Sequence, residues 1–202
     1  MVLLLAVPVV VVVLIAVVGV VAYRHGVDSV PAPDRSTLPA QPNDIGFASD
    51  MWDHHQQALQ MALLVLGHDG VSSEVRTLAT EMLTDQQRES GQLMQFLADR
   101  GVELPSDPDR QVMGWMGEPM PRSQMPGLAS PDDLTALTNA EGTDFERRFL
   151  DLMVKHHEGG VHMAEAAQAK AESQQLRDLA ARMALVQRRE ITEMQQLLGT
   201  PG

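Results

Sequence analysis

Apolar and polar positions follow three regimes along the chain. Val2 to Ala22 is an unbroken apolar run without a charge, long enough to cross a hydrocarbon layer as a helix. Tyr23 to Pro42 carries Pro31, Pro33, Pro39 and Pro42 among small and polar residues, the composition of a semi-extended stalk. From Asn43 onward apolar residues recur by threes and fours, which predicts helices with a buried seam.

Four long helices are expected. The first, Asn43 to Leu66, has Phe47, Met51, His54, Ala58, Met61 and Val65 on its seam and stops at Gly67 and Gly70. The second, from about Ser72 to Arg100, carries Val75, Leu78, Met82, Asp85, Glu89 and Phe96. The short loop between them makes the pair an antiparallel hairpin. Residues 101–142 then form a crossover, rich in Pro, Gly and Met at first, with a short helix from Ser130 toward Thr138. A helix of about 29 residues is about 43 Å long, so this segment can run from one end of a bundle to the other. Thr143 and Glu146 predict a capping box for a third helix reaching about Ala171, with Phe149, Met153, His156, Gly160, Met163 and Ala167 on its seam. The fourth, about Ser173 to Leu198, carries Leu176, Leu179, Met183, Val186, Glu190 and Leu197. The expected fold is all-α: a four-helix bundle over residues 43–200, built from two tandem helical hairpins, behind an N-terminal transmembrane helix over residues 1–22.

The hairpins are copies of each other. Met51, His54, His55, Met61 and Ala62 fall without gaps on Met153, His156, His157, Met163 and Ala164. Arg76, Leu78, Ala79, Met82, Gln86, Arg88 and Glu89 fall on Arg177, Leu179, Ala180, Met183, Gln187, Arg189 and Glu190. Amphipathicity alone would reuse Leu and Ala, not His-His and Gln-x-x-Glu, so internal duplication is the better account. The segments Phe47 to Ala62 and Phe149 to Ala164, with Gln187-x-x-Glu190-Ile191-x-x-Met194 after the second, resemble the bacterial domain of unknown function 305 family. The resemblance covers about Asp44 to Leu198. It implies a ferritin-like four-helix bundle in exported or membrane-anchored proteins, with metal binding among its expected properties. The first half departs from the pattern, reading Glu89-Ser90-Gly91-Gln92 against Glu190-Ile191-Thr192-Glu193.

Residues at one height of an antiparallel hairpin have numbers that sum to twice the loop midpoint. With the first turn near Asp69, His54 and His55 stand level with Asp85 and Gln86, and Met51 with Glu89. With the second near Glu172, His156 and His157 stand level with Gln187, and Met153 with Glu190. Each half thus gathers two imidazoles, a thioether, an amide and a carboxylate within about two turns. One reading is a metal centre with His54, His55, His156, His157, Met51, Met153, Glu89 and Glu190 as ligands. Imidazole with thioether and no thiolate suits copper, since soft Met favours Cu(I); zinc gains nothing from Met, and another divalent metal stays open. Di-iron chemistry needs Glu-x-x-His motifs, which the chain lacks. The other reading is a buried hydrogen-bond network in which Gln86, Gln187, Glu89 and Glu190 satisfy the rings.

Other features narrow the function. The net charge of −12 repels phosphate backbones and argues against nucleic acid. Cysteine is absent, while methionine occurs 13 times. Met61, Met82, Met163, Met183 and Met194 read as core filler, and Met113, Met116, Met120 and Met125 as packing of the crossover. His68 and His162 read as solvated, and Gly159 and Gly160 as points of close helix approach. No phosphate loop, nucleophile elbow or His-Glu-x-x-His is present, so an enzyme is not favoured. The leading run has no Lys or Arg ahead of it and exceeds the usual signal-peptide core, which favours a retained anchor over cleavage near Ala22 or Ala32. Arg24 alone would place the following end in the cytoplasm, but an anchor feeding a domain through a stalk more often exports it. The expectation is a single-pass protein of the cell membrane with its domain extracytoplasmic, binding a metal or, alternatively, presenting an interaction module to a membrane-protein partner.

Overall fold

The computed structural model describes residues 41–104 and 106–199; the expected transmembrane helix and most of the stalk lie outside them. Among the described residues there are five α-helices: α1 (Pro42–Gly67), α2 (Ser73–Ala98), α3 (Pro131–Thr138), α4 (Gly142–Lys170) and α5 (Gln174–Gly199). The four long ones agree with the expected spans to within two residues. None is long and apolar enough to cross a membrane.

Local chemistry explains most helix ends. Pro42 opens α1, where a missing N–H costs nothing. Ser72 accepts from the Val75 amide to cap α2, and Ser130 with Asp133 forms a capping box on α3. The box expected from Thr143 and Glu146 does not form: α4 starts one residue earlier, with Glu141 at the cap and no side-chain bond. Glu146 is used elsewhere, accepting the amide and hydroxyl of Ser72 in the opposite hairpin. Its counterpart in the repeat, Asp44, accepts the amides of Glu172 (2.7 Å) and Ser173 (2.9 Å) at the start of α5. Each hairpin turn is therefore held by an acid from the other hairpin. Arg76 and Arg177 complete the turns from within, donating to the carbonyls of Leu66 and His68 and of Ala171 and Glu172 respectively.

Helices α1 and α4 pack against each other antiparallel, since the start of α1 meets the end of α4 and the turn into α5. Two apolar cores result. One joins Phe47 and Met51 to Leu93, Phe96, Met163 and Met183; the other joins Met61 and Val65 to Met82, Phe149, Met153 and Met194. Between them, at mid-height, lies a buried polar layer of His54, His55, Gln86, Glu89, His156, His157, Gln187 and Glu190.

The crossover runs the length of α1. A two-residue antiparallel ribbon, β1 (Gln111–Val112) with β2 (Met120–Pro121), lies near its start. Asp50 anchors this part, accepting from Arg110 Nη1 (2.7 Å), the Met113 amide (2.8 Å) and Trp115 Nε1 (3.0 Å). Asp53 takes Arg122 through Nε (2.6 Å) and Nη2 (2.9 Å). Farther along, the Gln57 amide clasps Ala129, and His68 meets Ala140. Met113, Met116 and Met125 are buried in the first core, so they pack the crossover as expected. His68 is not freely solvated: its ring stacks on Phe145 at 3.9 Å. Replacing Asp50 by Ala leaves the buried Met113 amide and Trp115 Nε1 without their acceptor and Arg110 with Asp53 as its remaining carboxylate, and should cost about 2–4 kcal/mol. Urea denaturation measures that loss, and limited proteolysis should cut the variant first within residues 106–124.

Candidate metal centre

All four paired histidines turn inward. His54, His55 and His157 are fully buried and His156 is 1% exposed. His54 and His156 face each other across the α1–α4 contact, ring centroids 3.7 Å apart and planes at 32°. His55 and His157 flank them on the same helices, with centroid separations of 6.4 and 6.1 Å.

The outer rings are held by carboxylates. His55 Nε2 donates to Glu89 Oε2 at 2.9 Å, and His157 Nε2 donates to Glu190 Oε2 at 2.9 Å. The expected register had put these histidines level with Asp85 and Gln86 or with Gln187. Helical side chains lean toward their own N-termini. In an antiparallel pair the two leans converge, which lets a His and a Glu meet when their positions along the hairpin differ by about one turn, about 5.4 Å. The buried seams run through Gln86 and Gln187, one residue beyond the expected Asp85 and Val186; Asp85 instead pairs with Arg88 at the surface.

Hydrogen bonding sets which ring nitrogen carries a lone pair. A carboxylate only accepts, so Nε2 of His55 and of His157 carries the hydrogen and Nδ1 is the base. His156 Nε2 donates to the His54 carbonyl at 2.9 Å, which likewise leaves the lone pair on Nδ1. Nδ1 of His55 and of His157, both His54 nitrogens, the Gln86 amide and Gln187 Oε1 are buried without a hydrogen-bond partner. Pro126 presents a carbonyl that favours a charged His54, but no bond of good geometry forms. Burial pushes the His54 and His156 pKa values well below the ordinary range, reinforced by neighbouring histidines.

Met51 and Met153 are fully buried on opposite sides of the layer, one in each apolar core. Gly159 and Gly160 do permit close approach, though to different partners than a helix backbone. A Cβ on Gly159 would lie 2.1 Å from the Pro126 carbonyl oxygen of the crossover, and one on Gly160 would lie 2.2 Å from Gln187 Oε1. The aspartates that hold the crossover have no partner in sequence pattern, which is why periodicity missed them. Among the described residues, no group of three or more His, Asp or Glu side chains is arranged to hold a metal ion.

The family model for DUF305, a domain of unknown function, matches residues 44–198. The chain belongs to this family. A DUF305 protein of Streptomyces coelicolor, described as secreted, is 35% identical, with 77% of this chain and 91% of that one covered and a TM-score of 0.69. A DUF305 fragment from Deinococcus radiodurans is 29% identical, with 80% and 99% covered and a TM-score of 0.68. CopM in its Cu(I)-bound form is 28% identical, with 78% and 96% covered and a TM-score of 0.57; CopM is also known bound to Cu(II) and to silver. No curated protein matches the chain.

The two facing imidazoles make this DUF305 domain pH-sensitive with a definite sign. Unfolded, they titrate near the ordinary value of 6.5; folded, they stay neutral to well below it. The unfolded chain binds more protons there, so stability is complete above about pH 7 and falls below it, by up to about 1.4 kcal/mol per pH unit for each ring. Urea midpoints should drop from pH 8 to pH 5, and less steeply in His54→Gln/His156→Gln. Gly159→Ala must displace crossover backbone and should cost about 1–2 kcal/mol net of its helix-propensity gain. Gly160→Ala meets only the mobile end of Gln187 and should stay within about 1 kcal/mol of wild type in the same assay.

Proposed function

We propose that the chain is an extracytoplasmic metal-handling protein that binds copper in the polar layer at mid-bundle, as a buffer, carrier or sensor. The observation that carries this reading is a set of four buried imidazoles in which Nδ1 of His55 and of His157 and both His54 nitrogens have no protein partner, while burial keeps His54 and His156 neutral. Neutral His is the ligating form, so protons compete weakly for His54 and His156. The proposed ligands come from His54, His55, His156 and His157, with Met51 and Met153 as soft donors suited to Cu(I). Glu89 and Glu190 orient the outer rings, as carboxylates do behind metal-binding histidines. In the stacked arrangement the lone pairs of His54 and His156 lie in their ring planes and do not converge, so ligation requires at least one ring to turn. The copper- and silver-bound states of CopM support the choice of metal.

The long crossover between two antiparallel hairpins supports a ferritin-like reading of the frame, without its Glu-x-x-His chemistry. The Streptomyces relative described as secreted supports the extracytoplasmic placement, with the leading apolar run as a retained membrane anchor. The second reading is an interaction module for a membrane-protein partner, built on a structural polar core. It draws support from the direct His55–Glu89 and His157–Glu190 bonds.

Cu(I) and Ag(I) titration of the full chain separates the two. One or two ions per chain are expected. Affinity should fall about 10–100-fold in Glu89→Gln/Glu190→Gln, and further when His54, His55, His156 and His157 are jointly replaced by Ala. A folded wild-type chain that takes up neither ion nor Cu(II) overturns the metal reading in favour of the structural one.

A further inference from the structure

The paired imidazoles are sealed on all sides, but the seal is not uniform. Toward α2 and α5 it consists of two continuous 26-residue helices. Over the α1–α4 contact it includes a short non-helical piece of the crossover, Met125–Ala129, of which residues 126–129 are half-buried. This strap rests directly on the site. Gly127, at φ +87°, lies so close to α4 that a Cβ there would fall 2.8 Å from the His156 carbonyl oxygen and 2.9 Å from His156 Cα. The Pro126 carbonyl fills the notch left by Gly159.

Little holds the strap down at its far end. Gln57 of α1 closes both backbone groups of Ala129, accepting from its amide at 2.7 Å and donating to its carbonyl at 2.9 Å. Upstream, the crossover is pinned by the Arg122–Asp53 pair. Between these points the strap makes two backbone bonds, from the Met125 amide to the Arg122 carbonyl and from the Leu128 amide to the Met125 carbonyl. Opening it draws the Met125 side chain out of the first core, but it breaks few backbone bonds and leaves the helices intact, so it costs less than unwinding a helix to reach the rings.

We propose that Met125–Ala129 is the gate to the buried imidazole pair and that Gln57 is its latch. Lifting the strap uncovers His54 and His156 and frees the space in which a ring can turn to ligate. The cargo rests on the metal reading above; the gate itself does not.

The test therefore uses the metal-free full chain. Diethylpyrocarbonate modifies neutral imidazole only when the ring is reached, and mass spectrometry resolves which residue reacts. Gln57→Ala should speed modification of His54 and His156 about tenfold, as loss of the latch bonds implies, and should speed amide exchange at Leu128 and Ala129. Gln57→Glu, which keeps the bond from the Ala129 amide, should fall between; it also serves if Gln57→Ala fails to fold. Val65→Ala, a core truncation away from the strap, controls for general loosening and should leave the ratio of strap to helix exchange unchanged. Equal modification rates in wild type and both Gln57 variants would overturn the gate, as would a matching rise in Val65→Ala. Ag(I) stopped-flow on the same chains reads the cargo separately: faster uptake in the Gln57 variants at unchanged stoichiometry extends the gate to the metal. Accelerated modification with no silver uptake by any chain keeps the gate and removes the metal reading.

Discussion

Burying an imidazole is costly unless its polar atoms are satisfied, and this bundle buries four at one height together with two carboxylates and two amides. The arrangement becomes tolerable because each outer ring meets a glutamate on the adjacent helix and because the two inner rings remain neutral. That requirement fixes the axial offset within each hairpin. A shift of α2 or α5 by one residue would part His55 from Glu89 or His157 from Glu190 and rotate Leu or Met out of the cores. The polar layer thus sets register, while the apolar clusters above and below it supply most of the driving force.

Much of this was legible in the sequence, because periodicity and repetition are one-dimensional signals. The spans of the long helices, their pairing into hairpins and the inward turn of both His-His pairs follow from spacing and from the match between halves. Where spacing was misread, the physical reason is visible. Asp85 and Val186 were placed on the seam, but Gln86 and Gln187 occupy it, since on a 3.6-residue period adjacent positions near the edge of the apolar stripe compete and the buried choice depends on the facing helix. The outer histidines meet Glu89 and Glu190, the carboxylates that the sequence offers beside Gln86 and Gln187, because side chains lean toward their helix N-termini.

Contacts carried by loops left no periodic trace. Asp50 and Asp53 look like exposed helical acids in sequence, and only the crossover laid over α1 gives them Arg110 and Arg122. The pair Thr143 and Glu146 matches a capping box, yet Glu146 finds a better use across the bundle at Ser72. Asp44 could have been suspected as its twin, because the same offset that aligns the histidines aligns these two acids. Acids near helix starts usually serve their own helix, which masks this match between the halves.

The reciprocal acids at the turns bear on how the polypeptide matures. During translation the leading hairpin emerges with the Ser72 amide awaiting a carboxylate 74 residues downstream, and the trailing turn must reach back 128 and 129 residues to Asp44. Neither hairpin closes its own turn, although the two match in sequence. The repeat carries a mutual dependence, in which the first turn closes fully only after Glu146 of the second hairpin has been made.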